Sequence, residues 1–410
     1  MKISKYFLMA AAAMSLFACS NDNEALNNKD GNMTMIKLSL GKADTRGLEE
    51  TAGNQYNTIT DLRVEFFAAD GRNLYVPVPE ADLAAAVTAL NSNKKEAVLG
   101  VNNVPIMATK IAVIANEKTL SKQIQTGNLN EAYKTKIMLS EMRADDAKPF
   151  SQIKSVLTGN GTLEDTSTGG VTTSTVNVSI SAVSSRIEIG KIRAAKIAAP
   201  EGQTAVNVKE FYVQGIYINR FYTAGALSPE NNTLITDRKM IANGVEVGKY
   251  NKTAYTTNGV AFMCDEHVQN DPALVAQATN DANYSYEVFP KVEEGAKQLY
   301  WAYPTLATIP TVENDKTIAN VPHIVLKLKV LYDNEGAEWL DRYVTVQAYK
   351  KGSVNGESVM NFERNTVYRI ETLDFDINKL TQTPYEGNKT VTATIKVMPW
   401  HDQAIVPDWN

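Results

Sequence analysis

Ile324-Val325-Leu326-Lys327-Leu328-Lys329-Val330 places Ile324, Leu326, Leu328 and Val330 on one side and Lys327 and Lys329 on the other. Side chains alternate across a β-strand with a period of two, so the segment reads as a strand with one face buried and one wet. Asp333-Asn334-Glu335-Gly336 follows as a hairpin, and Val344, Val346 and Ala348 resume the alternation beyond it. That acidic turn lacks the regularly spaced oxygen ligands of a calcium loop.

The same period governs most of the chain. Leu62, Val64 and Phe66 alternate with Arg63 and Glu65 ahead of a turn at Asp70-Gly71. Residues 110–116 hold Ile111, Ala112, Val113 and Ile114 in a row, the mark of a buried strand, and 176–180 and 186–192 are further strands. Phe211, Val213 and Tyr217 share one face of a longer strand. Strands separated by Asn/Gly/Asp-rich loops predict a mostly β protein made of antiparallel β-sandwiches. Helical signal is limited to 81–90, Ala/Leu-rich after Pro79, and to 129–142. Both lie in the first half and read as short helical insertions in the N-terminal sandwich. The halves are loosely parallel, each opening on an alternating strand (36–40, then 186–192) and passing through a polar loop into a longer one (59–67, then 206–218). A boundary near 180, after the Gly/Thr/Ser-rich 159–174, gives an N-terminal domain over 47–180 and a C-terminal domain over 181–380.

Both ends of the chain have their own character. Lys2 and Lys5 precede a run of thirteen mostly apolar residues over 6–18, too short for the roughly 20 residues a bilayer requires. Leu16-Phe17-Ala18-Cys19 closes it in the manner of a bacterial lipobox, with Cys19 as the residue to be lipidated, although Phe17 is bulkier than usual there. The expected signal peptide is therefore 1–19, followed by an acidic, polar tether starting at Ser20. Within 20–46 lies Ile36-Lys37-Leu38-Ser39-Leu40, and directly after it Thr45-Arg46-Gly47. A cut after Arg46 would detach a whole strand, with Ile36, Leu38 and Leu40 as its apolar face, together with the lipid. Lys42, in the same loop, stays open as a second cleavage position. Near the other terminus Val391, Ala393, Ile395 and Val397 alternate with Thr392, Thr394 and Lys396. This tail, 381–410, is either the last strand of its own domain or a strand for donation, and the polar Pro/Gly-containing stretch before it favours donation.

Little in the chain points to catalysis. His267, His323 and His401 are isolated, with no paired spacing for a metal. Cys264 is the one cysteine besides Cys19, so with Cys19 lipidated no intramolecular disulfide can form. Gly159-Asn160-Gly161 is a turn rather than a phosphate loop. Tyr300-Trp301-Ala302-Tyr303-Pro304 is the densest aromatic cluster, a glycan platform or, by preference, core packing. The formal net charge is −5, and the first 46 residues carry six Lys/Arg against four Asp/Glu, so the remainder is more acidic still. No basic footprint for nucleic acid is expected. The expectation is a non-enzyme without catalytic residues, metal or cofactor.

Taken in order, Cys19, Arg46, Leu62-Arg63-Val64-Glu65-Phe66-Phe67, Ile111-Ala112-Val113-Ile114-Ala115-Asn116, Glu363-Arg364-Asn365-Thr366-Val367-Tyr368 and the tail from Val391 to Trp400 resemble the fimbrillins, the type V pilins of Bacteroidales. The resemblance implies two transthyretin-like β-sandwich domains. It further implies an outer-membrane lipoprotein precursor, cut by an Arg-specific protease and built into a cell-surface fimbrium that serves adhesion. Its implied partners are other copies of the chain, joined by donor-strand exchange, together with anchor and tip pilins. Burial of Val391, Ala393, Ile395 and Val397 in a neighbour would contribute roughly 4–9 kcal/mol before the tail's ordering entropy. The rival readings are an anchor pilin that keeps its lipid and a monomeric surface lipoprotein that binds glycans or host proteins.

Overall fold

A computed structural model describes residues 32–40, 59–92, 96–120, 123–134, 136–138, 155–163, 173–199, 201–222, 224–227, 240–241, 263–264, 274–290, 300–334, 336–384 and 389–399. The first half holds β1 (Asn32–Leu40), β2 (Leu62–Ala68), β3 (Asn73–Leu74), α1 (Glu80–Leu90), β4 (Glu96–Val104), β5 (Ala108–Ala115), α2 (Leu129–Tyr133), β6 (Lys136–Met138), β7 (Leu157–Thr162) and β8 (Thr173–Ala182). Then come β9 (Ser184–Ala195), β10 (Val208–Asn219), β11 (Phe221–Tyr222), β12 (Ala224–Ala226), β13 (Met240–Ile241), β14 (Met263–Cys264), β15 (Gln277–Ala278), β16 (Tyr284–Val288) and β17 (Trp301–Leu306). The chain continues through β18 (Thr311–Glu313), β19 (Lys316–Ile318), β20 (His323–Tyr332), β21 (Leu340–Lys351), β22 (Thr366–Phe375) and β23 (Val391–Pro399).

Two large sheets dominate. The first has seven strands in the order β3-β2-β5-β7-β8-β1-β4. The second has ten, running β14-β10-β20-β21-β23-β22-β9-β16-β15 with β17 also on β9. The chain passes from one to the other at Val183, between β8 and β9. Most pairs are antiparallel, yet β1–β8, β22–β9 and β21–β23 are parallel. The expectation of purely antiparallel sheets is corrected accordingly: strands far apart in sequence are inserted between existing neighbours, where no hairpin dictates their direction.

A repeat relates the two sheets. In the first, β2, β5 and β7 form an antiparallel run, and β1 lies between parallel β8 and antiparallel β4. In the second, β10, β20 and β21 form the same run, and β9 lies between parallel β22 and the antiparallel strands β16 and β17. Hence β1 corresponds to β9 and β8 to β22. In the middle of the sheets β23 has no counterpart: β7 meets β8 directly through Leu157–Ala182 and Thr158–Ser181, whereas β23 is wedged between β21 and β22.

Local sequence accounts for the elements. Apolar alternation buries Leu62, Val64 and Phe66, and the turn after β2 is closed by Gly71 N donating to the Ala68 carbonyl at 2.9 Å, with Gly71 at φ +85°. Gly159-Asn160-Gly161, expected as a turn, is instead part of strand β7, where a Cβ at Gly159 would lie 2.5 Å from the Ser179 carbonyl oxygen, so only glycine lets β7 approach β8 this closely. Helix α1 starts after Pro79 with Glu80 and Asp82 in its first turn, near the positive end of its dipole. It stops at Asn91, whose side-chain amide exchanges two 2.8 Å hydrogen bonds with the backbone of Ile59. The short helix expected within 129–142 is α2; Asn128 caps its start, and the chain soon turns extended as β6 because β12 offers it a ladder.

The first core gathers Ile36, Leu38, Phe66, Leu99, Ile111, Val113 and Val178. A second, larger one is built on β9, β10, β17, β20, β21, β22 and β23, and it also takes in Ile114, Ile137 and Val156 from the first half. The junction is tied by polar contacts. Thr158 Oγ1 donates to the Leu227 carbonyl at 3.0 Å, Arg364 donates to the Ala182 carbonyl at 3.2 Å and to Thr158 Oγ1 at 3.0 Å, and Asn365 Oδ1 accepts from Ala182 N at 3.0 Å.

Candidate functional site

Two seats matter most, those of β1 and β23. Strand β1 is an interior strand of its sheet: Ile36 faces Val176 on β8 and Leu99 on β4, and Leu38 faces Val178 and Ala97. Ile36 and Leu38 are 0% and 1% exposed, while Lys37 between them points to solvent. Thr34, also buried, shares a 3.1 Å hydroxyl hydrogen bond with Ser174. The Leu40 backbone stands in register with Ile180. These contacts are ladder bonds and side-chain burial, so β1 is bound to its sheet as a peptide would be.

Strand β23 occupies a similar seat in the second sheet, parallel to β21 and antiparallel to β22. Of the residues proposed for donation, Val391, Ala393 and Ile395 are buried and Val397 is 37% exposed. The Ile395 carbonyl accepts from Gly352 N at 2.9 Å, and Lys396 reaches Glu371 at 2.9 Å. The tail is thus packed as a strand of its own subunit, one of the two arrangements left open by the sequence. Cys19, Arg46 and Gly47 lie outside the described residues, as do His267 and His401.

The remaining candidates are structural in character. His323 opens β20 and is buried; burial, reinforced by the Arg220 charge, lowers its pKa to about 3 and keeps the ring neutral. Trp301 and Tyr303 are buried in β17 within the second core, so they present no open glycan platform. Cys264 lies in β14, its backbone paired with Tyr217. Among the described residues no group of three His, Cys, Asp or Glu could hold a metal ion, and no helix is long and apolar enough to cross a membrane.

One cluster was not read from the sequence. Glu188 on β9 sits between Arg186 at 2.9 Å and Arg369 of β22 at 2.7 Å, all three buried. Tyr300 lies 4.2 Å under the Arg369 guanidinium and donates to Glu371 at 3.0 Å; burial pushes its phenol up to about 12. From the sequence, 186–192 reads only as a strand. The signal available was the opposite charge at 186 and 188, two residues apart on one face; the third partner, Arg369, is far off in sequence. Separating such a buried pair leaves an uncompensated charge, so the cluster fixes the register of β9 against β22.

The fold and these seats define a class: a mostly β protein of two large sheets whose first and last described strands are both interior. No protein-family model matches the chain, and no curated protein matches it. Among solved structures it is similar to a candidate cell adhesion protein from Bacteroides eggerthii, at 12% identity and TM-score 0.47 over 93% of this chain and 99% of that one. Another candidate cell adhesion protein, from Parabacteroides distasonis, gives 16% identity and TM-score 0.47 over 91% and 99%. The tip fimbrial protein from Porphyromonas gingivalis, with a C-terminal truncation, gives 9% identity and TM-score 0.38 over 90% and 100%.

Proposed function

We propose that the chain is a structural subunit of a surface fimbria, made as a lipoprotein on Cys19 and assembled after a cut at Arg46. In this reading the two halves are transthyretin-like sandwiches over 47–180 and 181–380. The cut frees β1, and the tail strand of a neighbouring copy replaces it. The observation that carries the reading is the seat of β1. It is an interior strand whose one covalent link to the rest of the domain is the segment holding Arg46. Losing it opens a groove between β8 and β4 lined by Val176, Val178, Leu99 and Ala97. An open groove of this kind exposes two unpaired strand edges, which a partner strand satisfies with ladder bonds and buried side chains. That β23, like β1, lies between one parallel and one antiparallel neighbour supports its use as the replacement. Donor and acceptor are different surfaces, so the contact propagates without closing.

The test is Arg-specific digestion of the purified precursor. It should yield a chain beginning at Gly47 that forms SDS-resistant ladders, while Arg46→Ala stays intact and monomeric. Intact Arg46→Ala protein that still assembled would end the proposal. The packing of β23 in its own sheet favours, as a second reading, a monomeric surface lipoprotein. It would keep β1, and its digestion would give no ladders.

A further inference from the structure

Strands β1 and β23 are both nine residues long, Asn-Met-Thr-Met-Ile-Lys-Leu-Ser-Leu and Val-Thr-Ala-Thr-Ile-Lys-Val-Met-Pro. Each carries Ile-Lys at its fifth and sixth positions, and each lies between one parallel and one antiparallel neighbour. Building on the exchange proposed above, we infer that β23 enters a neighbour's groove in the register of β1, Ile395 in the place of Ile36 and Lys396 in that of Lys37.

The side chains select this register. Ala393 then replaces Thr34, Ile395 replaces Ile36 and Val397 replaces Leu38, three inward positions filled at nearly the original size. Lys396 emerges where Lys37 does, beside exposed Val98 of β4 and Asn177 of β8. Sliding two residues one way puts Ala393 in the Ile36 pocket and leaves a cavity there. Sliding two the other way puts Pro399 opposite the Leu38 partners, where it lacks a ladder N–H. A one-residue slip turns the apolar face outward. Val397 supplies a separate indication. It is 37% exposed in its own seat, whereas the Leu38 it would replace is 1% exposed. Its apolar side chain therefore finds full burial only in the exchanged position.

Disulfide trapping in the full-length precursor, on a Cys264→Ser background and after Arg-specific digestion, tests the register. Val98→Cys is combined in turn with Thr394→Cys, Lys396→Cys or Met398→Cys, because directly opposed strand residues lie within disulfide reach. Oxidation should give covalent ladders with the Lys396→Cys pair at five-fold or more the yield of the other two. Ladders trapped best by the Thr394→Cys or Met398→Cys pair would overturn the register and leave the exchange standing. SDS-resistant ladders with no disulfide in any pair would do the same. Absence of ladders in all three variants and in the Cys264→Ser parent would remove the exchange, and the register with it.

Discussion

At the scale of single residues, His323 shows how burial sets a pH dependence. Its folded pKa, about 3, lies below the ordinary 6.5, so between those values the unfolded chain binds a proton that the folded chain does not. Stability is therefore complete above pH 6.5 and falls as pH drops toward 3, by at most about 1.4 kcal/mol per pH unit. In urea unfolding, His323→Gln should show a smaller loss between pH 7 and pH 4 than the parent; equal losses would mean that the ring is already protonated in the fold. The buried Glu188 belongs to the same scale. Its two guanidinium partners come from β9 and from β22, and only folding brings Arg369 to it.

Among elements, β23 is the informative one. The first sheet has no strand between β7 and β8, so the second should survive the loss of β23 by closing β21 onto β22 as β7 closes on β8. Removing residues from 390 onward should lower stability by about 4–7 kcal/mol, the burial of Val391, Ala393 and Ile395, and leave one cooperative unfolding transition of the second sheet. Loss of that transition in urea would show that β23 is indispensable to its own sheet. The period-two pattern made the strands legible: Leu62, Val64 and Phe66, and Ile324 to Val330, lie where their alternation put them. What it did not reveal was partnership. Parallel pairing of β1 with β8 joins residues some 140 positions apart, as in the Thr34–Ser174 bond, and no local signal encodes such a contact. The strand just after the second helix was not legible for a related reason, since the ladder that holds Lys136–Met138 extended is supplied by β12. Of the site, the two end strands were legible by their alternation, while their interior seats were not.

For the whole molecule, the junction at Val183 decides how the halves behave together. Arg364, half-buried and with its pKa lowered to about 10 by desolvation, joins Thr158 and Ala182 to the loop ahead of β22, and Ile114, Ile137 and Val156 extend the second core across the divide. Arg364→Ala should cost about 2–4 kcal/mol and split calorimetric unfolding into two transitions. A single transition, unchanged in width, would place the coupling in the apolar contacts alone. The mixed flanks of the β1 seat have a further consequence. A strand entering it head-first or tail-first meets one parallel and one antiparallel ladder either way, so backbone bonding is nearly blind to direction. Orientation is left to a few side chains: inverted about Ile395, β23 would set Ala393 against the pocket of Leu38. The direction in which each donated strand lies, and with it the way one subunit is set on the next, would rest on a difference of two methyl groups.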